Sequence, residues 1–414
     1  MSPYVKKAYV YYIDYRFSVQ NKIKGFTMRF LTQETIDFQG SGFLNELTDA
    51  IEAYRQTNKS TNEAVKLALQ LGGIIKARTN LAIRVNISPY WMGPCISPVD
   101  FSEHSVLFGK RFQGFLDGSD GEKLVSKIAK PLGTIDLARA KVDGVFKEVN
   151  FELTYPKEML ESDKYTSSEH AAVMLHEVGH GFTICEYLDR TTTINAALAG
   201  YDQAIKNNNS YSQKSIYLKA LKTEFKLEDL DVDEASKITK AEVGAVVIVG
   251  AFKKQIRSEL GSDLYDLTAS EFIADQFAAR FGAGRDIVTA LDKMYDGRDI
   301  DYHTDLKFVL MEVVKASMLA ISLSGIVLTI MAGIPLGAFA FTMLTMSSIG
   351  AFISDSKTTL PGSAYDGVHA RYTRVKRDLI ARLKVKGIKS DEAHRITEDI
   401  DTIDTILAGM KDRR

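Results

Sequence analysis

Two cysteines in 414 residues cannot build a disulfide framework, so this fold is not a disulfide-stapled one. Cys185 reads as a packing residue. Charge of one sign is also missing: 52 Lys and Arg face 53 Asp and Glu, a formal net charge of −1. That balance gives no long-range attraction to nucleic acid or to an anionic surface, so no nucleic-acid partner is expected and only local basic patches remain. Near Met1 there is no long apolar run with a small-residue cleavage site, and an intracellular protein is expected. Wholesale disorder is excluded by 45% hydrophobic and 25% charged residues, and the length admits two or three domains or one elaborated catalytic domain.

What is present centres on Thr166-Ser-Ser-Glu-His-Ala-Ala-Val-Met-Leu-His-Glu-Val-Gly-His180. Thr166 and Glu169 have capping-box spacing, which puts a helix start just before an apolar run. On that helix His176 and His180 lie ~40° apart on one face, one turn above the other, so two imidazoles can share a metal. Glu177 points to a neighbouring direction, suited to hold water beside the metal and take its proton. Chance alone gives such a three-residue match in on the order of one chain in a hundred of this length, so a third ligand must be sought. Glu271-Phe-Ile-Ala-Asp275 offers one: Glu271 completes a His₂Glu zinc site with an open fourth position, and Asp275, one turn on, can accept the free N–H of a ligating histidine.

These two motifs resemble the signatures of the gluzincin metallopeptidases of the HtpX and CAAX prenyl protease family, His-Glu-x-x-His and Glu-x-x-Ala-Asp. The resemblance covers about residues 165–283. It implies a Zn²⁺-dependent endopeptidase acting on protein or peptide, with His176, His180 and Glu271 on the metal, Glu177 as general base and Asp275 behind a histidine. His369, with Tyr365 or Tyr372, falls where the family returns residues to the active site, and His369 is carried forward as a candidate for stabilising the tetrahedral oxyanion. In gluzincins an edge strand receives the extended substrate. The rival reading is a structural or assembly protein that keeps a zinc site without turnover. His104, His170, His303 and His394 have no partner at ligand spacing.

Residues 1–40 are rich in aromatics without a clear period. Phe43, Leu47, Ile51 and Tyr54 predict one helix, and Ser60 to Glu63 caps a second that should stop at Gly72-Gly73. Leu81 to Ile87 alternates as a strand. Thr134–Val142 and Val145–Tyr155 read as a hairpin about Asp143-Gly144, with Val149, Phe151, Leu153 and Tyr155 on one face. The helix carrying the histidines should end near Leu188. Asp229, Asp231 and Asp233 have the spacing of a calcium loop, but Lys240 at its twelfth position argues for an ordinary helix start instead. Between Lys315 and Asp355 no charged residue occurs, and Gly333 to Gly337 divides the span into halves of about 17 residues, short for a bilayer. Residues 316–354 therefore fit a transmembrane hairpin or a buried one. From Ala364 the chain is basic and helical, either a solvated face or one resting on anionic lipid.

The expected fold is α+β: a mostly helical zincin-type metallopeptidase with a small antiparallel sheet before the histidine helix and an apolar helical hairpin. Its regions are 1–78, helical and aromatic; 79–305, catalytic, with a helical insertion at 190–262; 306–357, the hairpin; and 358–414, basic and helical.

Overall fold

A computed structural model describes residues 42–89, 93–99, 109–136, 139–206, 211–260, 267–295, 361–384 and 387–412. The aromatic start and the 316–354 span lie outside them. No helix among the described residues is long and apolar enough to cross a membrane.

The chain is mostly helical with a small sheet. Helix α1 (Phe43–Arg55) buries Phe43, Leu47, Ile51 and Tyr54, the residues its spacing singled out. Helix α2 (Thr61–Thr79) starts where Ser60 Oγ accepts the Glu63 N–H, and it runs straight through Gly72-Gly73. The expected stop fails because Leu67, Leu71, Ile75 and Thr79 keep one buried face in register across the glycines. Their burial, at roughly 1.5–3 kcal/mol for each large apolar side chain, outweighs the ~1 kcal/mol that a mid-helix glycine costs.

Strand β1 (Ala82–Ser88) and the short β2 (Cys95–Pro98) follow, then helices α3 (Gln113–Leu116) and α4 (Gly121–Ala129). The expected hairpin about Asp143-Gly144 does not form. Strand β3 (Ile135–Asp136) pairs with β4 (Lys141–Val142), turning earlier, where Asp136 Oδ1 accepts the Arg139 N–H at 2.9 Å. Asp143 turns its carboxylate onto the Gly144 N–H at 2.7 Å and opens a 3₁₀ helix (Gly144–Glu148) that separates the two arms. Strand β5 (Asn150–Pro156) is thereby free to pair elsewhere. It lies between β1, to which it is parallel, and β2, to which it is antiparallel, so the sheet is mixed rather than antiparallel. Phe151, Leu153 and Tyr155 are buried, as their alternation predicts.

After the single turn of α5 (Lys157–Glu161), helix α6 (Ser167–Lys206) begins at the capping box. The Thr166 N–H donates to Glu169 Oε2 at 2.8 Å and the Glu169 N–H to Thr166 Oγ1 at 3.2 Å. The helix does not end near Leu188. Its 40 residues extend ~60 Å and belong to two apolar cores. The first half, with Leu175, Val178, Phe182 and the buried Cys185, packs with α1, α2 and the sheet. In the second half Ala196, Ala197 and Tyr201 join a separate core with α4, α7 (Tyr211–Glu224) and α9 (Ala241–Leu260). The buried Arg111 pairs with Asp189 at the junction, and no proline or glycine breaks the helix there. Between α7 and α9, α8 (Val232–Lys237) opens with Asp231 Oδ1 accepting the Glu234 N–H at 3.0 Å, which makes that acidic cluster a helix cap.

Helix α10 (Leu267–Ala278) packs along α6. It passes into a π turn (Ala279–Ala283), where Gly282 at φ 89° takes a backbone that a side chain would strain, and then into α11 (Gly284–Tyr295). Helices α12 (Pro361–Leu383) and α13 (Ser390–Asp412) close the first core through Val368, Tyr372, Val375, Ile396 and Ile403. The basic residues of α12 are mostly engaged within the protein. The Arg374 guanidinium lies 4.8 Å over the Phe272 ring, Lys376 pairs with Asp404, and Arg382 Nε donates to Glu392 at 2.9 Å.

Candidate metal centre

Two helices build the site. His176 and His180 project from α6 one turn apart, and their Nε2 atoms lie 3.0 Å from each other. Glu271 arrives from α10 with Oε1 3.4 Å from His180 Nε2 and Oε2 3.5 Å from His176 Nε2. Donors of a tetrahedral zinc with bonds of ~2.0–2.1 Å lie about 3.3 Å apart; each histidine meets a different Glu271 oxygen near that distance, and one ligand atom from each of the three residues lies within 4.8 Å of the others. Among the described residues this is the one group of His, Cys, Asp or Glu side chains that could hold a metal ion.

The helices can supply these donors only because they approach closely. Gly179 sits between the two histidines on α6. A Cβ there would stand 2.9 Å from the Ala274 Cα and 3.0 Å from the Phe277 Cβ, both on α10.

Behind the donors lies a layer of polar side chains. His176 Nδ1 is 2.9 Å from Asp275 Oδ1, and His180 Nδ1 is 3.0 Å from Ser270 Oγ. Each histidine thus has a polar neighbour at its far nitrogen, and its Nε2 is the atom turned toward the other donors. Asp275 is 2% exposed. It is gripped by Arg371 of α12, with Nε 2.6 Å from Oδ2 and Nη2 2.8 Å from Oδ1, while Nη1 of the same guanidinium lies 3.0 Å from Glu271 Oε2.

Electrostatics follow from this packing. Burial lowers the affinity of His176 for a proton, but Asp275 and Glu271 outweigh it and hold the imidazole up at about 10. Burial raises Glu271, yet hydrogen bonds from both histidines and the charges of His176 and Arg371 keep it far below the usual carboxylate range. Asp275 is likewise held down, against burial, chiefly by the Arg371 charge. Glu177, buried beside the donors, is pushed up by burial, although the two imidazoles and the nearby Ile96 backbone N–H pull it down. Ile96 belongs to β2, one of the two outer strands of the sheet.

The structure brings His176, Glu177, His180, Glu271 and Asp275 together. His369 is half-buried on α12, two residues before Arg371, with no side-chain contact to the cluster, while its carbonyl accepts the Thr373 hydroxyl at 2.8 Å. Ser270, Arg371 and Ile96 were not anticipated. A sequence signal existed for Arg371: it falls on the buried stripe Val368, Tyr372, Val375 and Leu379, where a basic residue needs an acidic partner inside. No protein-family model matches this chain, and no curated protein or solved structure matches it either, so the site stands on its own geometry.

Proposed function

We propose that this chain is a zinc-dependent metalloendopeptidase of the gluzincin kind, its α+β framework a zincin-type one. The observation that carries the reading is the convergence of one ligand atom each from His176, His180 and Glu271, all within 4.8 Å of one another, with the Glu177 carboxylate beside them. His176, His180 and Glu271 would hold zinc, which would supply Lewis acidity and acidify water in the site. Glu177 would take a proton from the attacking water and deliver it to the leaving nitrogen, a task helped by a carboxyl whose proton affinity burial has raised. No described strand pairs with the outer edge of β2, so an extended peptide can lie along it and bring its scissile bond past Glu177.

Metal analysis of the purified protein should find about one zinc per chain. Incubation with an unbiased peptide mixture should give cleavage that a chelator abolishes and stoichiometric zinc restores. A folded protein without zinc removes the site, and a zinc protein that cleaves nothing in the mixture becomes the structural staple instead.

Gly179→Ala tests the helix approach. Its new methyl group must push α6 and α10 apart by a few tenths of an ångström, with an expected loss of ~1–3 kcal/mol from overpacking that exceeds the ~1 kcal/mol gained in helix propensity. Zinc retention against a chelator should fall with it. A variant as stable and as metal-retentive as the parent would show that the two ligand helices do not depend on this glycine.

A further inference from the structure

We propose that Arg371 is a positioning residue of the metal site, one that fixes the two carboxylates of α10 by geometry rather than by charge. The proposal rests on the zinc reading but not on peptidase activity. Three contacts carry it. The planar guanidinium spans both oxygens of Asp275 at 2.6 and 2.8 Å and reaches Glu271 Oε2 at 3.0 Å, so one rigid group sets the rotamers of two side chains a helical turn apart. Asp275 in turn faces His176 Nδ1 at 2.9 Å. Arg371 thereby acts on two of the three donors, on Glu271 directly and on His176 through Asp275.

Charge and geometry make opposite predictions here. Glu177, Glu271 and Asp275, when ionised, carry three negative charges, which the divalent ion and Arg371 together neutralise. As a bare charge, Arg371 repels the metal, and its removal would tighten zinc binding. As a clamp, its removal frees Glu271 and Asp275 to rotate, and binding weakens. The 9% side-chain exposure of Arg371 and its fit to both carboxylates favour the clamp.

Two variants of the full chain decide between them, read by competition for Zn²⁺ against a chromophoric chelator and by the visible absorption of the Co²⁺-substituted protein. R371M removes fork and charge. R371K keeps the charge on a flexible stem and loses the fork. Both should bind zinc about 10–100-fold more weakly, the usual loss when a group behind a metal ligand is removed. Their cobalt bands should weaken or shift as Glu271 leaves its place, and thermal unfolding of the metal-free forms reports folding separately. If R371M does not fold, R371K decides alone. Wild-type or tighter zinc affinity with an unchanged cobalt spectrum in a folded variant overturns the proposal while leaving the peptidase reading intact. Weakened affinity in a protein that cleaves no peptide supports Arg371 and sinks the peptidase reading alone. A wild type that takes up no Zn²⁺ ends both.

Discussion

If the chain is the zinc peptidase proposed, Glu177→Gln should lower peptide hydrolysis by about 10²–10⁴-fold and leave zinc in place, because it removes a proton acceptor without touching a donor atom. The amide is the same size as the carboxylate. Its neutral form cannot take a proton from water. Stability should hold or rise in the variant. Burial raises the Glu177 carboxyl, which means that the folded protein disfavours the ionised form it must carry near neutrality, and a neutral side chain removes that strain. Initial rates on a peptide cleaved by the parent, zinc content and thermal unfolding measured on one preparation check the three parts together. Hydrolysis at the parental rate takes Glu177 out of the role assigned to it. Loss of zinc together with activity would show instead that Glu177 supports the site structurally.

The parts of this site that the sequence discloses are those whose geometry is local. His176 and His180 share a face because four residues make about one helical turn, and the same argument joins Glu271 to Asp275. The start of α6 is legible because a capping box satisfies its own backbone groups within four residues. Partners from afar are another matter. The alternation in β5 reveals which face is buried but not that the neighbours are β1 and β2, and Asp143-Gly144 suits a hairpin turn as well as the 3₁₀ start that it makes. Helix ends are set by tertiary burial, which carries α2 across two glycines and α6 from one core into another. Arg371 lies 96 residues from Asp275, and only the docking of α12 brings them together.

Acid should destabilise this protein through His170, a residue the site does not use. His170 is fully buried on α6, six residues before His176, with Nδ1 2.7 Å from the Tyr155 hydroxyl and Nε2 without a hydrogen-bond partner. Tyr165 packs on its ring at 5.5 Å. Burial, then the charge of Arg55, pushes its pKa down to about 3; Lys293 adds to the shift and Glu169 opposes it. The unfolded chain takes up the proton near 6.5 and the folded chain does not until about 3. Between those values the unfolded state binds more protons, so stability is fully present above pH ~6.5 and falls by roughly 1.4 kcal/mol for each unit of acid, to a total on the order of 4–5 kcal/mol. Asp399, raised to about 6 by burial, works in the opposite direction, because the folded state holds its proton first. The comparison must therefore be between slopes. Urea unfolding from pH 7 to pH 4 should show stability dropping more steeply with acid in the parent than in His170→Gln, which cannot titrate but can still accept the Tyr155 hydroxyl. Parallel slopes would mean that His170 is protonated in the folded protein, and that the buried corner formed by Tyr155, Tyr165 and the first turn of α6 admits a charge that its packing should exclude.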